Sequence, residues 1–181
     1  MPSSIYRALD EVAISSHRVT NPRSIPGKIE DLPPSGQWAE VDHTPEGVLY
    51  AWRRTEPHRL VRWRTRGYQS SISVALTRII YDDQLAFSHV IDRGFDDARE
   101  LPGWTETAAR ASWNPLLLCN HSMQSGTYLD DTGNTLHTAT AYTTYARGNV
   151  GYLLDVTGTT SAGDRDGADL DILVSRIHLS V

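Results

Sequence analysis

From Ser70 to Val181, apolar and polar residues alternate with the two-residue period of a pleated strand, and short clusters of Asp, Gly and Asn separate the runs. Successive side chains of a strand point to opposite faces. Alternation over many short runs therefore asks for sheets with one buried and one polar face. The expected class is mainly β: an antiparallel β-sandwich or barrel with a short N-terminal helix, an extended Pro-rich arm and one short helix near residues 105–113.

The first 36 residues read differently from the rest. Residues 4–14 fit a short helix that Ser3 or Ser4 can cap, with Ile5, Leu9 and Val12 on one face. From Ser15 to Gly36 the periodicity is lost, and Pro22, Pro26, Pro33 and Pro34 accompany Gly27 and Gly36. Proline removes backbone donors and biases its neighbours to extended conformations, which predicts an arm. The expected division is a helix and arm over 1–36 and a single β-rich domain over 37–181.

Within that domain the alternation predicts strands at Val48–Arg53, Leu60–Arg66, Ser71–Tyr81 and Leu85–Ile91, with Asp82-Asp83 turning the last pair as a hairpin. Thr105–Trp113 is Ala-rich, opens on a capping Thr105 and stops at Asn114-Pro115, which predicts the short helix. Short strands follow at Leu116–Cys119 and Thr127–Leu129, and Asp130–Asn134 is a strong hairpin turn. Thr135–Tyr145 places Leu136, Thr138, Thr140, Tyr142 and Thr144 on one face. Arg147-Gly148-Asn149 turns the chain into Val150–Thr157, and Leu170–Val181 reads as a last strand.

Composition narrows the function classes. The formal charge is −5, which argues against a protein that coats nucleic acid. Lys28 is the only lysine among seventeen basic residues, and Cys119 is the only cysteine, so no intrachain disulfide can form. The N-terminal residues lack the layout of a signal peptide, and no apolar run approaches the roughly 20 residues of a membrane span. Cytoplasmic synthesis, with a place in a virion equally compatible, is the expectation, and no cofactor and no membrane are expected.

Four groups of residues could carry chemistry. Arg62, Arg64 and Arg66 share one face of a strand beside Trp63, a pattern that suits phosphate, but the acidic balance favours contact with acidic groups of another strand or subunit over nucleic acid. Asp164–Asp171 alternates carboxylates around Gly167, yet its spacing misses a complete calcium loop, and a metal-free turn is expected. Cys119, His121 and Ser122 are close in sequence, and His89 lies in an alternating row that could face a cavity. A buried cysteine and hydrogen-bonded histidines account for them more simply. Gly36-Gln37-Trp38 shares the Gly-x-Trp spacing that opens lipocalin barrels; three residues carry no family, and a tryptophan closing one end of a sheet explains them.

The functional expectation is a non-enzymatic structural or assembly protein, such as a viral or phage subunit, whose partner is itself or another subunit. Its expected interface is Ile5, Leu9, Val12, Ile25 and Ile29 on the arm together with Arg62, Arg64 and Arg66. The alternative is a small β-barrel that binds or cyclises a hydrophobic metabolite.

Overall fold

The computed structural model describes residues 4–55, 69–114, 119–162 and 166–180. The expected strand Leu60–Arg66 with Arg62, Arg64 and Arg66 lies outside the described residues, as do Leu116–Leu118, Asp164 and Val181.

The mainly β, antiparallel class holds. Ser71–Tyr81 (β5) is the hub. One edge pairs along most of its length with Val150–Ser161 (β9), and the other is shared end to end. Tyr50–Arg54 (β4) takes residues 71–74 of that edge, and Ala13–Arg18 (β1) takes residues 77–81. Trp38–Glu40 (β3) continues the sheet beyond β4. On the far side Thr135–Arg147 (β8), Cys119–Leu129 (β7) and Thr105–Asn114 (β6) follow β9 in order. The β7–β8 turn at Asp130–Asn134 is built as expected: Asp130 accepts from the Thr132 and Asn134 amides at 2.9 and 2.8 Å.

Alternation sends side chains to two cores on opposite faces of this sheet. Ile72, Val74 and Leu76 of β5 join Leu154, Val156, Ala139, Ala141 and Met123 on one face. The helix Asp166–Arg176 (α4) covers them with Leu170 and Val174. Gly158 makes that seat possible, because a Cβ there would lie 2.7 Å from a Leu170 methyl. Ile79 and Tyr81 point the other way with Leu153 and Tyr142. They pack under Ser4–Val12 (α1), Gln84–Ser88 (α2) and a 3-10 turn at Val90–Arg93, while Gly94–Arg99 (α3) closes the end.

Three segments differ from expectation. Leu85–Ile91 is helical: Asp83 caps α2 by accepting from the Leu85 and Ala86 amides, and the Phe87, Val90 and Ile91 side chains recur at helical spacing into one core. Thr105–Asn114 is strand β6, paired along its length with β7; pairing overrides the helix propensity of its alanines. Leu170–Val181 begins as the end of α4, with Leu170, Val174 and Ile177 buried at steps of four and three, and among its described residues only His178–Ser180 (β10) is strand.

Residues 4–36 do not hang free. Ile5 and Leu9 are 0% and 1% exposed. β1 is part of the main sheet, and Lys28–Glu30 (β2) pairs with β10. Ile29 is buried in the α4-side core against which Ile25 packs, and Val12 packs against the other. Of the side chains expected at an interface, Ile5, Leu9 and Ile29 are buried within the chain, while Val12 and Ile25 are half-buried against its cores. Leu9→Ala should lower unfolding free energy by about 2–5 kcal/mol, the usual range for emptying a fully buried leucine site. Chemical denaturation followed by circular dichroism measures it, and a loss below about 1 kcal/mol would mean that α1 is only loosely docked.

A hydroxyl-lined sheet face as the candidate functional site

The face that carries α1 at one end changes character at the other. Pairing sets side chains in rows across the sheet. One row runs Ala75, Asp155, Tyr142 and Ser122; the next runs Ser73, Thr157, Thr140 and Gln124; the third runs Ser71, Thr159, Thr138 and Gly126. The last two rows hold hydroxyls and one amide where a core would hold methyls. Ser71, Ser73, Thr140, Thr157 and Thr159 are half-buried.

These groups are chained together. Thr140 Oγ1 and Thr157 Oγ1 lie 3.4 Å apart, as do Thr138 Oγ1 and Thr159 Oγ1. Thr157 Oγ1 donates to Asp155 Oδ1 at 3.3 Å, and Tyr6 of α1 donates its hydroxyl to Asp155 Oδ2 at 2.7 Å. The Arg18 guanidinium stacks 4.0 Å from the Tyr6 ring centroid. Gln124 Nε2 donates to Glu106 at 2.7 Å, and Arg99 donates to the same carboxylate at 3.2 Å.

The electrostatics follow from enclosure. Asp155 is half-buried as a residue, but its carboxyl is enclosed. Burial pushes its pKa above the ordinary carboxylate range; the Tyr6 bond and the Arg18 charge pull against that shift. Tyr6 and Tyr142 are held protonated by burial first and by the Asp155 charge second. Several polar atoms on this face are buried without a protein partner: Thr77 Oγ1, Ser122 Oγ, Gln124 Oε1, Ser161 Oγ and Arg18 Nη1. Buried polar groups are ordinarily satisfied, and the enclosure of these atoms leaves an ordered water as the partner each can reach.

The other candidates from sequence are not brought together. Cys119 and His121 share a face of β7, but Cys119 is buried with its thiol pKa raised by burial, and His121 Nδ1 sits 2.9 Å from Thr143 Oγ1. Ser122 points to the opposite face. His89 ends α2, exposed, with Asp92 at 3.1 Å. From Asp166 the expected acidic turn is helix α4, and Asp171 lies 2.7 Å from His137 Nε2. Among the described residues no cluster of three His, Cys, Asp or Glu could hold a metal. Trp38 is buried at the edge strand β3, as expected of a tryptophan closing one end of a sheet. Sequence reading found the Thr138 and Thr140 row but passed over Asp155, whose signal was a lone carboxylate inside the apolar run Leu153-Leu154-Asp155-Val156.

No protein-family model matches the chain, and no curated protein matches it. Among solved structures it is similar to LpqN of Mycobacterium tuberculosis, described as involved in cell envelope biogenesis. The identity is 15%, with 94% of this chain and 95% of that chain covered and a TM-score of 0.68. That likeness is one of fold.

A pH experiment isolates the enclosed carboxyl. With its pKa raised in the folded state, Asp155 binds its proton more tightly folded than unfolded. Its ionisation therefore removes stability as pH rises from the ordinary Asp range of about 3.9 through the higher native value. Asp155→Asn keeps a carbonyl acceptor for Tyr6 and cannot ionise. Its melting temperature relative to the parent should climb between about pH 3 and pH 7; a flat difference would show that the carboxyl is not enclosed.

Proposed function

We propose that the protein is a binding protein that takes a polyhydroxylated, carbohydrate-like ligand on the hydroxyl face. The observation that carries the reading is the pair of hydroxyl rows, in which Ser71, Ser73, Thr140, Thr157 and Thr159 are half-buried around the buried Thr138. Strand spacing of about 4.8 Å across the sheet sets these groups at a pitch that neighbouring hydroxyls of one extended ligand can follow. The half-buried serine and threonine hydroxyls offer acceptors and donors together, which suits a ligand whose every hydroxyl both gives and accepts. The tie of LpqN to cell envelope biogenesis, a setting built in part from glycans, makes the same ligand class the first to try here.

Two other readings lose support. A pocket for a hydrophobic metabolite wants an apolar lining with few polar groups, and the open part of this face is the reverse. Assembly through a free arm, in a virion or elsewhere, rested on the apolar side chains that the domain buries.

Titration of labelled protein with neutral di- and trisaccharides, with a saturated fatty acid as contrast, tests the proposal by nuclear magnetic resonance. Amide shifts should concentrate at 138–140 and 155–159. Thr140→Val with Thr157→Val should weaken binding about tenfold or more, since two hydrogen bonds at about 1 kcal/mol each are removed. Fatty-acid shifts at these amides, or no saccharide shifts, would contradict it.

A further inference from the structure

Every residue of β6 from Thr105 to Trp113 is exposed, on both faces of the sheet. Among the described residues the main sheet ends at β6, so its outer row of N–H and C=O groups has no strand beside it. Natural sheets usually blunt such an edge with proline, lysine or a short strand. This strand is ten residues long and carries neither residue. Its bulge lies near one end, between Glu106 and Ala108, and leaves Ala108–Asn114 regular.

The side chains of that stretch complement themselves. Ala109, Ala111 and Trp113 share one face; Ala108, Arg110, Ser112 and Asn114 share the other. An antiparallel pair related by a twofold axis at Ala111 sets Trp113 of each copy over Ala109 of the other, with the two Ala111 residues between. It sets Arg110 opposite Ser112. Moving the axis to Arg110 would place two arginines directly opposite, which is unfavourable. Moving it to Ser112 shortens the paired stretch and opposes Trp113 to Ala111. Charge and size therefore select one register. Trp113 is 51% exposed, so each ring offers roughly 100 Å² for burial. Beside β6 on the α4 side, a cavity of about 240 Å³ lined by Ala108, Met123 and the half-exposed Ile172 extends the contact. A stable interface needs about 800 Å² per partner, and one strand edge with this flank falls short of it, so the association is of the weak, concentration-dependent kind.

We propose that β6 is a homodimer edge at which a second copy adds its own β6 antiparallel about Ala111, joining the two sheets into one. The surface is isologous, so the contact closes on itself and does not propagate into fibres.

The test is sedimentation of the full chain across a concentration series into the hundreds of micromolar, with Ala111→Lys, Ala111→Glu and Trp113→Ala. The parent should show a monomer–dimer equilibrium that Trp113→Ala weakens at least tenfold. Lysine or glutamate at 111, each facing itself, should leave monomers that melt like the parent. Mixing the two charge variants should restore the dimer, because only the Ala111 register brings position 111 against itself. A monomeric parent, a dimer that survives in Ala111→Lys, or a mixture that stays monomeric would overturn the proposal. Capture of an extended peptide on a parent that does not dimerise would overturn it too, by giving the edge to another partner.

Discussion

The structure depends on a division of labour along β5, β9 and β8, the three central strands of the main sheet. A strand that alternates has one apolar face if it is covered on one side only. Here the apolar face changes along the length. At the Ser71 end of β5 the methyl-bearing residues Ile72, Val74 and Leu76 face α4; at the Tyr81 end Ile79 and Tyr81 face α1. Strands β9 and β8 repeat the change with Leu154 and Val156 against Leu153, and Ala139 and Ala141 against Tyr142. The two cores are offset diagonally through one sheet. Each is closed by helical segments, and the layers that a sandwich requires are a sheet between two such covers.

The same offset creates the candidate site. Where the α1-side core ends, its face still belongs to central strands, and that quadrant is filled by serines, threonines, Gln124 and Asp155. Tyr6 links the two regions: it sits on α1 between Ile5 and Leu9, which anchor the helix, and its hydroxyl holds the carboxyl at the edge of the polar quadrant. Elements from both ends of the chain are drawn into these covers. Leu179 of β10 donates its amide to the Tyr145 hydroxyl at 2.8 Å, and burial pushes that hydroxyl's pKa up to about 12. Beside it, β10 pairs with β2 of the N-terminal segment, and Ile29 and Leu179 are buried together.

Much of the sheet was legible because period two is a strong signal where the partners are regular. Ser71–Tyr81, the Asp130–Asn134 turn and the strand begun at Thr135 needed only alternation and turn chemistry. The failures have local causes. In Leu85–Ile91 both periods are present, and the deciding clue was the Asp83 cap. In Thr105–Asn114 alanine suggested a helix, whereas small residues exposed on both faces suit an edge strand. The N-terminal segment looked like an arm because β1 and β2 are short and their partners, β5 and β10, lie far away in sequence. Asp155 is a lone carboxylate in the sequence, and only strand pairing sets it beside Thr157 and under Tyr6.

Residues 4–36 and the sheet form one cooperative unit around two offset cores. Native-state amide hydrogen exchange reads this directly. The slowest amides of α1 and β1 should open with the same free energy and the same denaturant dependence as those of β5 and β9. Exchange of α1 and β1 through a separate, low-energy opening, while β5 and β9 stay protected, would contradict it and return the N-terminal segment to the status of an arm.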